Sequence, residues 1–252
     1  MPSSPNSASG NSAAQALRIL KALVAAPSEA YALMREPGAL AACALAYLAA
    51  LPVSALFSGQ MSQAQGFMAQ PTSYLFRLGV EAGWGTVINS VWFAFLTLLA
   101  TAAPLHPAIL LGVCVALPAS LAALAFIAGP GLAAGASCGL AAGWLLLSPR
   151  TKRFELKTPL CLLLAVLALS PLAEAAGALA SSSDAAVIAV QVLFGFWILY
   201  LTARGLKTIY ATSAPKALLL TILPMLGMYV ALFSLYKAGL MSQAAMEVLS
   251  GF

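Results

Sequence analysis

Apolar residues in this chain run in long blocks instead of alternating with polar ones. A block of about 20 apolar residues is the length at which a helix crosses the hydrocarbon of a bilayer. Seven such blocks predict spans at 38–57, 84–103, 107–128, 130–148, 158–178, 185–203 and 216–236. Proline punctuates them: Pro37 opens the first, Pro104 closes the second, and Gly129-Pro130 parts the third from the fourth. The stretch 107–148 reads either as two full spans or as one re-entrant hairpin, and both leave an odd number of crossings between residues 73 and 149. The expected fold class is all-α, a polytopic transmembrane helix bundle of about seven spans forming one domain over 37–252.

Two shorter segments precede the bundle. Residues 1–16 are rich in Ser, Asn, Pro and Ala and carry no charged side chain, so they bury too little apolar area to offset ordering and are expected to be a disordered tail. Residues 17–36 read as interfacial amphipathic helices broken near Pro27. Leu17, Leu20, Leu23 and Val24 form the expected apolar face, and Arg18 and Lys21 flank it. The sizeable polar connection is 58–73, which holds no charge.

Composition strengthens the membrane reading. Hydrophobic residues make up 62 % of the chain and charged ones 8 %, against about 25 % charged in a soluble domain. Such a chain cannot cover a water-facing surface. The net charge of +5 reports orientation, not nucleic-acid binding. With the N-terminus cytoplasmic, the inner segments hold Arg18, Lys21, Arg35, Arg150, Lys152, Arg153, Lys157, Arg204, Lys207 and Lys216. The outer segments hold only Arg77 and Lys237. That asymmetry predicts a cytoplasmic N-terminus, a C-terminus outside, and a membrane of the bacterial inner type.

The polar inventory excludes most membrane chemistry. His106 stands alone, which rules out bis-histidine haem and a histidine metal cluster. Gly135-Ala136-Ser137-Cys138 has the outline of a serine-protease turn, but no His follows Ser137. Cys43, Cys114, Cys138 and Cys161 all fall in apolar blocks without a CxxC pair and read as small packing residues. No enzyme activity, metal or cofactor is expected. Glu174 is the carboxylate within a proposed span, about 9 Å from the bilayer centre at 1.5 Å per residue. It follows Pro171, and it reads either as an intramembrane proton or cation site or as a side chain reaching headgroup water where the helix unwinds.

Gly131, Gly135, Gly139 and Gly143 recur every four residues, on one ridge of a helix, and mark a close backbone approach. The partner is either a neighbouring helix of the same chain or a second copy. Arg150, Lys152, Arg153 and Lys157 are the candidate contacts for anionic lipid headgroups. Expected partners are therefore the bilayer, anionic lipids, and a second copy or another membrane protein, with no nucleic acid.

Two stretches carry a family resemblance. Leu23 to Pro37 sets Pro27 before a short helix containing Tyr31, then a charged residue and a second Pro. Gly205-Leu206 to Ser213-Ala214-Pro215-Lys216-Ala217 follows Trp197 and frames Tyr210. Together, over 23–37 and 197–217, they resemble the Yip (Ypt-interacting protein) family of polytopic membrane proteins. The resemblance implies a cytoplasmic N-terminus and a non-enzymatic trafficking or scaffold role through helix–helix or partner contacts. The Asp-Leu-Tyr-Gly-Pro motif of eukaryotic members is absent, so Rab GTPase binding is not carried over. The alternative expectation, from Glu174 beside a Pro-broken helix, is a small transporter or channel subunit.

Overall fold

The computed structural model describes residues 6–64, 73–86, 88–89, 92–93, 96, 127, 136, 157–180, 183–237 and 239–250. The spans expected at 84–103, 107–128 and 130–148 lie largely outside these residues. So do Gly131, Gly135, Gly139 and Gly143, and Arg150, Lys152 and Arg153 of the basic loop. Among the described residues the regular elements are all helical. Three helical stretches are long and apolar enough to cross a membrane: Ala39–Phe57, Lys157–Leu179 and Ala185–Ile209. The chain divides into two compact units, Met1–Leu78 with Glu155–Ala214, and Gly79–Phe154 with Pro215–Phe252.

The first unit opens with α1 (Asn6–Ala25) and α2 (Pro27–Leu33). Helix α1 begins ten residues before the expected end of the disordered tail. Ala8, Ala13, Ala14 and Ala16 are strong helix formers, and the helix is held by tertiary contacts. Gln15 Nε2 donates to the Pro37 carbonyl at 3.1 Å, and Ala16, Ile19 and Leu23 are buried. Of the expected apolar face, Leu23 is buried in the core beside Ala16 and Ile19, while Leu17 and Val24 are exposed. Gly38, at φ +81°, makes the left-handed turn from α2 into α3 (Ala39–Ala64), a conformation glycine adopts without strain.

Helix α3 runs seven residues past Phe57, into what composition assigned to a polar connection. Gln60, Met61, Gln63 and Ala64 favour helix, and no proline intervenes to stop it. Helix α4 (Tyr74–Val80) follows. The next spanning stretch is two helices, α5 (Lys157–Leu167) and α6 (Ser170–Leu179). Pro171 explains the break, because its ring clashes with the carbonyl four residues back, at Leu167, the last residue of α5. The chain crosses the gap by a tight Leu169 N–H to Val166 carbonyl bond of 3.0 Å.

Ser183 caps α7 (Asp184–Ile209), its Oγ accepting from the Ala186 N–H at 3.5 Å. This helix outruns its expected end at 203 because Arg204 and Lys207 sit where cations favour a helix C-terminus and where their stems can reach water. It closes with Ala211 at φ 47° and a Thr212 N–H to Lys207 carbonyl bond of 3.1 Å, the six-to-one bond of a left-handed cap. Near that end a Cβ on Gly205 would lie 2.5 Å from Leu162 Cδ2 and 3.0 Å from Tyr31 Cε1. Glycine here lets α7 meet α5 and α2 without a side chain between them.

In the second unit, α4 continues into a π-helical turn, Glu81–Gly85. Helix α8 (Ala214–Lys237) coincides with the last expected span and carries Pro224 inside it. Helix α9 (Gln243–Ser250) packs on the π-turn, with Leu249 Cδ2 3.7 Å from the Cβ position of Gly85. Met241, Ala245 and Val248 form its buried edge.

Candidate functional site

Small residues let α3 lie close to α5 and α6. Ala39, Ala42, Cys43, Ala50, Ser54 and Ala55 are all buried on α3, and Cys161, Ala165 and Val166 are buried on α5. Three side-chain contacts fix the register. Lys157 Nζ donates to the Glu36 carbonyl at 2.9 Å. The Cys43 and Cys161 thiols, both free and buried, lie beside each other. Ser54 Oγ donates to Glu174 Oε1 at 2.6 Å. Residue numbers rise together on both sides, so α3 and α5–α6 run parallel. Helix α7 returns antiparallel, since its Gly205 meets Leu162 near the start of α5.

One stripe of α3 therefore carries polar groups into the seam. Cys43, Tyr47 and Ser54 are spaced by four and seven residues, which places them on one helical face. The Tyr47 hydroxyl is buried and makes no hydrogen bond among the described residues. Glu174 is the focus. Its Oε1 is held by Ser54, while Oε2 is buried and makes no hydrogen bond among the described residues. Native structures leave few buried polar atoms unpaired, and an unpaired carboxyl oxygen is among the most costly. Beside this pair, on the next residue of α3, the Ala55 carbonyl accepts from Arg77 Nε at 2.8 Å. The Tyr74 hydroxyl donates to the Pro52 carbonyl at 3.3 Å. Helix α4 is thus pinned to α3 at the level of Ser54.

The helix breaks just before Pro171. The Glu174 carboxyl turns into the helix–helix contact and meets a hydroxyl 120 positions earlier in the chain. Ser54 was not singled out by sequence. The available signal was a small hydroxyl on the face of α3 that also carries Cys43 and Tyr47. Lys157, expected as a headgroup contact, donates to the carbonyl of Glu36, just ahead of α3. Among the described residues no group of three or more His, Cys, Asp or Glu could hold a metal ion.

A second junction lies near the starts of α3 and α5. Tyr31 is 2 % exposed, and its hydroxyl donates to the Leu201 carbonyl at 2.9 Å. Burial pushes its phenol up to about 12. Tyr31 belongs to the first family-like stretch and Leu201 and Gly205 to the second, so the two stretches pack against each other. No family model, no curated protein and no solved structure matches the chain.

Proposed function

We propose that the chain is an integral membrane protein of the small-transporter class, with Glu174 as the group that takes up and releases a coupling proton or small cation. The observation that carries this reading is the Glu174 carboxyl itself. It sits between helices with one oxygen held by Ser54 and the other buried without a hydrogen bond among the described residues. Ionisable groups are costly in such places and mark ion pathways where they occur. Ser54 orients the carboxyl, and the free Oε2 is the atom that exchanges the ion. The break before Pro171 supplies a hinge at which α6 can shift against α3 and re-expose that oxygen. In this reading the N-terminus and the 149–157 loop face the cytoplasm, as the distribution of Lys and Arg requires in a bacterial-type inner membrane.

The test is flux. The full chain is reconstituted in liposomes containing a pH-sensitive dye, and proton entry is followed under an imposed potential in sodium and in potassium. Glu174→Gln keeps an acceptor for Ser54 and should abolish coupled flux while leaving the melting temperature unchanged. Ser54→Ala should reduce flux without abolishing it. Full flux in the Glu174→Gln protein, or no flux in the parent, defeats the proposal.

A Yip-like scaffold role is the second reading. What favours it is the Tyr31–Leu201 bond, which joins the two stretches that carry the resemblance into one structural element. On that reading Glu174→Gln is silent, and substitutions on the exposed face of the 23–37 stretch impair partner binding.

A further inference from the structure

A groove of about 480 Å³ opens between α1 and α2, by the start of α3 and away from Glu174. Its polar rim is made by three charged side chains, Arg18 and Lys21 from α1 and Glu29 from α2, above a floor that includes Ala22, Ala25 and Ala26. All three charged residues are exposed, and among the described residues none of them is engaged in an ion pair. The alanines leave the floor open, because no long side chain folds into it.

The surroundings point to what enters. Leu17 is 69 % exposed and Val24 is 50 % exposed, and they stand seven residues apart on one face of α1 with Lys21 between them. Large apolar side chains flanking a basic residue are the pattern of a helix lying at the boundary of headgroups and acyl chains. On a helix lying in that way, the groove is presented to lipid. Its charge pattern has two cations one helical turn apart and a carboxylate on the facing helix. That complements a ligand carrying a phosphate at one end and a primary ammonium at the other.

We propose that this groove binds the headgroup of an amine-bearing phospholipid. The phosphate lies on Arg18 and Lys21, the ammonium donates to Glu29, and the glycerol backbone lies over the alanine floor. A phosphoglycerol headgroup has no ammonium for Glu29, and a choline headgroup has no N–H to donate, so both fit less well. This inference is independent of the role given to Glu174.

The experiment is native mass spectrometry of the full chain, released from micelles doped with equal amounts of phosphatidylethanolamine, phosphatidylglycerol and phosphatidylcholine. The parent should retain phosphatidylethanolamine in preference to the other two. Arg18→Gln and Lys21→Gln should each lower that retention about five-fold, the worth of one basic side chain at a membrane surface. Glu29→Gln should transfer the preference to phosphatidylglycerol. Equal retention of the three lipids by the parent, or unchanged retention in the Arg18→Gln/Lys21→Gln double variant, overturns the proposal. Added inorganic phosphate or glycerophosphoethanolamine should not displace the lipid. Displacement by phosphate alone would make the groove a soluble-anion site and also overturn it. Both α1 substitutions lie on exposed positions, and an unchanged melting temperature shows that any loss is not unfolding.

Discussion

Tyr31 shows how one residue ties an amphipathic segment to the apolar bundle. Its ring fills the space beside Gly205, and its hydroxyl reaches a backbone carbonyl of α7. Tyr31→Phe removes the hydrogen bond and keeps the ring, and should cost about 1 kcal/mol at neutral pH, read as a lowered melting temperature in detergent. The pH dependence has a definite sign. The folded phenol titrates near 12, above its ordinary value of 10, so the unfolded chain loses its proton first. The stabilisation is complete below pH 10 and is lost as pH rises from 10 toward 12. Parent and Tyr31→Phe melting temperatures should therefore converge over that range, and a constant difference would place the phenol in water.

The helices themselves were largely legible, and the places where they were not share a cause. Spans 38–57, 158–178 and 185–203 coincide with helices because a long apolar run admits no other backbone-satisfying structure in lipid. Their ends were misplaced, at Ala64 and Ile209, because apolarity stops at the hydrocarbon edge while helix propensity does not. On α1, counting leucines did not show which residues meet the other helices. Burial there is set by where Gln15 meets Pro37, which composition cannot reveal. Ser54 went unnoticed for the same reason, its partner being 120 positions away. The break at Pro171 was readable from one residue and has a direct test. Pro171→Ala supplies an N–H for the Leu167 carbonyl and should make α5–α6 continuous. Amide exchange over 168–172 should slow by about ten-fold or more, since proline inside a helix costs about 3 kcal/mol. Unchanged exchange would mean that packing, not proline, holds the bend.

For the whole molecule, the decisive relation is that α3 and α5–α6 point the same way while α7 points back. If these three stretches cross a bilayer, Glu36, Lys157 and Lys207 lie on one side and Ser183 on the other. Single cysteines at these positions, in a background lacking Cys43, Cys114, Cys138 and Cys161, should react with an impermeant maleimide accordingly. Labelling of the Ser183 cysteine from the same side as the Glu36 cysteine would contradict the arrangement. Parallel neighbours also impose an order in time. Ser54 leaves the ribosome 120 residues ahead of Glu174, roughly ten seconds at ordinary elongation rates. Throughout that interval α3 presents Cys43, Tyr47 and Ser54 without α5 and α6 against them. The nascent protein is then exposed to mispairing and to quality-control proteases, and a chain cut short before residue 157 can never bury that stripe against α5 and α6.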